Sequence, residues 1–138
     1  MTDPTTTRGY LNNNPGNLRY NEAIRWQGAA EPPVDDRGYA KFVDPYHGLR
    51  AMARDVYVKW FSGRKTAAEI VERYAPPNEN NTVAYTKHMQ AAMGTGPLEL
   101  NNEDVMFEWI VAQLQVEIGG QPYDPDIIRL AIDSALAR

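Results

Sequence analysis

"DPYHGLRAMARDVYVKW", residues 44 to 60, decides how the rest of the chain is read. It opens with an aspartate able to cap a helix and a proline whose fixed φ suits the first turn. Leu49, Met52, Ala53, Val56 and Trp60 then fall on one face at helical spacing. The segment is expected to be a helix at the centre of the core.

Toward the C-terminus the same logic finds four more helices. "TAAE" (66 to 69) has capping-box spacing, with Ile70, Val71 and Tyr74 behind it and a stop at Pro76-Pro77. A helix from about Asn81 carries Tyr85, Met89 and Ala92 and ends at "GTG". Another runs from an Asn101/Asn102 cap through Met106, Trp109, Ile110 and Leu114 to "EIGG", and the last opens with "DP" at 124 and buries Ile128, Ala131, Ile132 and Ala135. Toward the N-terminus the periodicity is lost. Residues 9 to 44 are rich in Gly, Pro, Asn and aromatics and read as loops around a small sheet. "GYAKFV" (38 to 43) alternates as a strand does, and "NLRY" and "IRWQG" could pair with it. Residues 1 to 7 read as a mobile tail and 8 to 138 as one domain of the α+β class, predominantly helical, with about five helices and a small N-terminal hairpin or sheet.

Composition narrows the chemistry. The 138 residues include no cysteine, which removes disulfides, thiolate metal sites and thiol nucleophiles. His47 and His88 have no partner at ligand spacing, so a zinc or iron site would need an unusual all-oxygen shell; no metal is expected, and no organic cofactor is implied either. Fourteen basic against eighteen acidic residues, a formal charge of −4, argue against a dedicated nucleic-acid binder. No apolar run approaches the roughly 18 to 20 residues that span a bilayer. The start "MTDPTTTRGY" lacks an apolar signal core, so synthesis in the cytosol is expected, with no membrane partner.

One charged residue breaks the pattern. At roughly 100° per residue, Glu117 shares the stripe of Met106, Ile110 and Leu114. A carboxyl pointing where core residues point has its pKa raised by burial, the condition of a general acid near neutral pH. It could equally cap a neighbour or pair with an arginine in a fraying last turn.

The loops offer neutral polar chemistry. Asn12, Asn13, Asn14, Asn17 and Gln27 are interleaved with Tyr10, Tyr20, Trp26 and Tyr39, a mixture of amides and flat apolar faces that suits hydroxyl and N-acetyl groups of sugars. The same run, with its Pro-Gly, could instead make tight turns whose side chains satisfy their own backbone. "VDDRGY" (34 to 39) sets Asp35 and Asp36 at a hairpin turn, where either could be a second catalytic carboxylate or an ordinary turn acid. Glu79, among amides in "YAPPNENNT", could cap the following helix or reach a ligand.

Taken together, "RGYLNNNPGNLRY", Trp26 with Gly28, "DDRGYAKF", "GLRAMAR", "YAPPNENNTVAY" and "EIGGQPY" resemble a family of small phage virion proteins with a lysozyme-like character. A more distant resemblance is to peptidoglycan hydrolases of lysozyme-like and glucosaminidase type. There a helix ending in a catalytic Glu leads into an asparagine-rich loop, a hairpin and a helical body. In this chain the helix ending at Glu117 comes near the end instead, and a circular permutation would reconcile the two. Gln115, Val116 and Ile118 are less polar than that pattern implies.

The resemblance implies a virion-associated enzyme that cleaves the β-1,4 glycan strand of peptidoglycan, as muramidase, glucosaminidase or lytic transglycosylase. Glu117 would be the general acid and Asp36 (or Asp35) the second carboxylate. Asn12, Asn13, Asn14, Asn17, Tyr20, Trp26, Tyr39, Glu79 and Tyr123 would line the sugar. The alternative is a non-catalytic virion protein or glycan-binding module that keeps the fold. Delivery to the cell wall would be in the particle, among other virion proteins, or through a holin pore.

Overall fold

The computed structural model describes residues 3–74 and 82–137, which hold six α-helices and one two-stranded antiparallel sheet. The α+β, mostly helical class is as expected. Helix α2 (Pro45–Phe61) forms where its signal places it: the Asp44 side chain accepts from the His47 N–H, and Pro45 occupies the first turn. Leu49, Met52, Ala53 and Val56 are buried, and Trp60 donates its indole N–H to the Leu98 carbonyl. This helix touches α3, α5, α6 and the sheet. It is the hub of the body.

The other helices follow their caps. Helix α3 (Ala67–Tyr74) starts at a capping box in which the Thr66 hydroxyl accepts from the Glu69 N–H and the Glu69 carboxylate accepts from the Thr66 N–H. Its expected stop at Pro76-Pro77 lies outside the described residues. Helix α4 (Thr82–Met93) buries Tyr85 and Met89 but leaves Ala92 exposed. Helix α5 (Glu103–Glu117) starts under an Asn102 cap, and α6 (Pro125–Leu136) under an Asp124 cap. Ile128, Ala131, Ile132 and Ala135 face inward as the spacing requires. Arg50 and Arg54 of α2 donate to the Ser134 hydroxyl and the Ala135 carbonyl, fastening α2 to α6.

The N-terminal third differs from expectation in three ways. Residues 3 to 7 do not trail as a tail: Pro4–Thr6 form a 3-10 turn capped by Asp3, and Thr7 caps a one-turn helix, α1 (Arg8–Leu11). A single turn is too short to carry a hydrophobic repeat, which is why periodicity could not announce it. The first strand, β1 (Ala29–Val34), lies past "IRWQG" and contains Pro32 and Pro33, residues a strand accepts only at an edge. It pairs with β2 (Ala40–Phe42), Ala29 opposite Phe42 and Val34 opposite Ala40, with an irregular register between. "NLRY" contributes one bridge, between Arg19 and Tyr39.

The amide-rich loop is fastened largely by its own side chains. Asn14 is fully buried; its amide donates to the Leu18 and Ala40 carbonyls, and its oxygen accepts from the Leu18 N–H. Asn13 donates to the Phe42 carbonyl, and the Asn12 carbonyl accepts from the Phe42 N–H. Asn13 and Asn17 hold left-handed backbone at φ 54° and 50°, a region asparagine tolerates better than most residues. Helix α2 comes so close that a β-carbon on Gly48 would stand 1.7 Å from the Asn13 carbonyl oxygen. Only glycine fits there.

Asn14→Ala strands the Leu18 N–H and the Ala40 carbonyl, while the Leu18 carbonyl keeps its bond from the Ala40 N–H, at a cost of about 1–3 kcal/mol for each group left unsatisfied. We expect a loss of at least about 2 kcal/mol in denaturant titration. A loss under about 1 kcal/mol shows that the loop does not depend on this clamp.

Candidate functional site

Glu117 closes α5, and the structure places its side chain among donors rather than in open water. The Asn17 amide donates to its Oε1 at 2.9 Å and to its backbone carbonyl at 3.1 Å. The Tyr85 hydroxyl donates to Oε2 at 2.6 Å. Behind Tyr85 the chain continues: Gln113 donates to the Tyr85 oxygen at 3.1 Å, and Trp109 donates to the Gln113 oxygen at 2.9 Å. An indole N–H can only donate. It therefore fixes the Gln113 amide orientation, which commits the Tyr85 proton to Glu117.

The electrostatics follow from this enclosure. Burial raises the Glu117 carboxyl above its ordinary value, and the bonds from Tyr85 and Asn17 pull the other way without cancelling it. Burial, together with the Glu117 charge, also raises the Tyr85 hydroxyl, so it stays protonated as a donor. Ile118, the apolar residue of this turn, is buried and packs where Gly9 of α1 passes; a β-carbon on Gly9 would lie 2.9 Å from its side chain. The end of α5 is thus joined in space to the start of the asparagine loop, one hundred residues earlier in sequence.

Asn17 also lines an open groove of about 630 Å³ with Tyr20, Ile24, Trp26, Asp55 and Lys59. Trp26 is half-buried against Leu18, Ala40, Phe42 and Ala51, so one part of the ring is anchored while the rest borders the groove. Tyr20 is 38% exposed. A second hollow of about 750 Å³ shares Tyr20, Glu22, Ile24 and Trp26 with the first and continues along β1 and β2. Asp55 and Lys59, ion-paired one turn apart on α2, were not singled out by the sequence because i,i+4 acid–base pairs are ordinary on helix surfaces.

The remaining expected site residues are placed otherwise. Asn14 is enclosed and its amide is spent on backbone, so it cannot meet a ligand. The amides of Asn12 and Asn13 are engaged by Asp35 and the Phe42 carbonyl. Asp35 holds the hairpin: its carboxylate accepts from Arg8, Asn12 and the backbone N–H groups of Arg37 and Tyr39. Burial would push this carboxyl up, yet those bonds outweigh it and hold it well below the usual carboxylate range. Such an acid has no basicity to lend. Asp36 has a side chain 85% exposed beside Arg8, and neither acid lines the groove of Asn17. Tyr39 lies between guanidinium groups, Arg19 at 4.3 Å and Arg8 at 5.8 Å from its ring centre. Tyr123 is buried and stacked on Tyr10 at 5.7 Å, its hydroxyl without a hydrogen-bond partner among the described residues. Glu79 lies outside the described residues.

Because folding raises the Glu117 carboxyl, the native state keeps this proton longer than the unfolded chain does. Its contribution is complete below the unfolded value near 4.3 and is lost as pH rises through the folded value. Glu117→Gln removes the titration. We expect the melting temperature of the variant relative to the unmodified protein to increase between pH 4 and pH 8. A difference that is flat across that range shows that the carboxyl is not raised.

No protein-family profile matches the chain. It is similar to "Protein P5" of Pseudoalteromonas phage PM2, with 32% identity over 127 residues that cover 88% of this chain and 78% of that protein. The chain belongs to the family of this phage protein.

Proposed function

We propose that this protein cleaves the β-1,4 glycan strand of bacterial peptidoglycan, with Glu117 as the proton donor to the leaving oxygen. The observation that carries the reading is a glutamate raised by burial, held by Asn17 and Tyr85, one hydrogen bond from a groove bordered by aromatic rings. Glycosidic cleavage needs an acid that is still protonated near neutral pH and a surface that stacks on sugar rings. Tyr20 and Trp26 are the residues that would hold the sugar, with Asn17 holding the acid at the edge of the groove. The seating of α5 against the asparagine loop suits the permuted arrangement implied by the resemblance to lysozyme-like hydrolases. Membership in a phage protein family suits action at the cell wall, with delivery in the particle or through a holin pore.

The second reading is a non-catalytic virion protein or glycan-binding module. It takes support from Asn12, Asn13 and Asn14, whose amides serve the fold and leave fewer groups for a ligand than their number suggests.

Incubation with purified sacculi separates the two. Cleavage predicts soluble muropeptides from the unmodified protein and a loss of at least about 100-fold in Glu117→Gln, within the usual worth of an acid catalyst. Binding without released fragments favours the module, and release that survives the substitution removes Glu117 from the mechanism. A Tyr85→Phe variant deletes a bond that lowers the Glu117 carboxyl. Its alkaline limb of activity is expected to move to higher pH, and an unmoved limb would show that Tyr85 does not tune the acid.

A further inference from the structure

Cleavage by a raised glutamate leaves positive charge at the anomeric carbon and, for hydrolysis, needs a group that takes a proton from water. The hairpin acids do not supply it: Asp35 is consumed by four donors, and Asp36 points into solvent beside Arg8. A different carboxylate borders the groove. Asp55 of α2 lines it with Asn17 and Trp26, its side chain 26% exposed and bonded to Lys59. Asn17 is the shared wall, since its amide reaches Glu117 while its residue faces the space that Asp55 borders. The Asp55 charge is also felt at the Tyr85 hydroxyl, the group bonded to Glu117, so the two carboxyls belong to one electrostatic neighbourhood.

We propose that Asp55 is the second carboxylate of this site, acting as the base that activates water opposite the Glu117 proton donor. The inference rests on the glycan-cleaving reading above. In the step, a water oxygen bonds to the anomeric carbon while its proton passes to Asp55. The bond from that carbon to the leaving oxygen breaks, and the leaving oxygen takes the Glu117 proton. One water is consumed, and solvent returns the two carboxyls to their starting states. The groove, at about 630 Å³, has room for a sugar ring and that water together. Lys59 holds one Asp55 oxygen and so positions the other.

The test uses the full chain on purified sacculi. Asp55→Asn is expected to lower kcat by about 100-fold or more while binding to sacculi stays within about threefold. Asp55→Ala is expected to regain turnover with added azide, giving a glycosyl azide of inverted configuration, and the unmodified protein is expected to release reducing ends of inverted configuration. Release of fragments by the unmodified protein with no loss in Asp55→Asn overturns the role of Asp55 and leaves Glu117 standing. Retained configuration, or an anhydro-sugar as the sole product, overturns it as well. If the unmodified protein releases nothing, the glycan-cleaving reading fails and this inference fails with it.

Discussion

One asparagine joins the two parts of this molecule. Asn17 donates to both the backbone carbonyl and the carboxylate of Glu117, tying a loop-and-hairpin unit at the N-terminus to the last turn of α5. Without that joint Glu117 would keep the Tyr85 hydroxyl but lose its tie to the loop, which would then meet this end of α5 only through packing such as Gly9 against Ile118 and Tyr10 on Tyr123. With it, a carboxyl is enclosed beside an open groove whose walls are residues of the loop and Asp55 and Lys59 of α2. The left-handed backbone of Asn17 is part of the same device, because it turns the amide toward α5 while the chain continues into the bridge to Tyr39.

The helical body was largely legible in the sequence. Its signals are local and independent: Asp44 and Asp124 each precede a proline, Thr66 and Glu69 form a reciprocal cap, and the apolar residues repeat at helical spacing. The N-terminal third was not, because its order comes from long-range bonds. The Asn14 amide reaches Ala40, and Asn12 reaches Asp35. Nothing in the spacing of asparagines says whether an amide will meet a sugar or a carbonyl. Proline-rich β1 likewise reads as loop, and becomes a strand only because an edge position spares its nitrogens from pairing.

The same distinction separates the site residues. Glu117 could be singled out because a charge on an apolar stripe is a local contradiction that physics must resolve. Tyr85 looked like core, and it is buried, yet its hydroxyl is what meets that charge. Gln113 and Trp109 carried no sequence signal beyond helix position. Asp55 and Lys59 were hidden by resembling a commonplace surface pair, and only the fold brings them to the groove that Asn17 borders.

The line of bonds from Trp109 through Gln113 and Tyr85 has a polarity that cannot be reversed, since an indole nitrogen offers no lone pair. Every hydrogen in that line already points toward the carboxyl. The interior is therefore closed to proton traffic, and whatever proton Glu117 gains or gives must cross on the side open to solvent. Evolution could alter the rings and amides of the rim to suit a different cell wall while this inner line kept the acid's exchange facing outward.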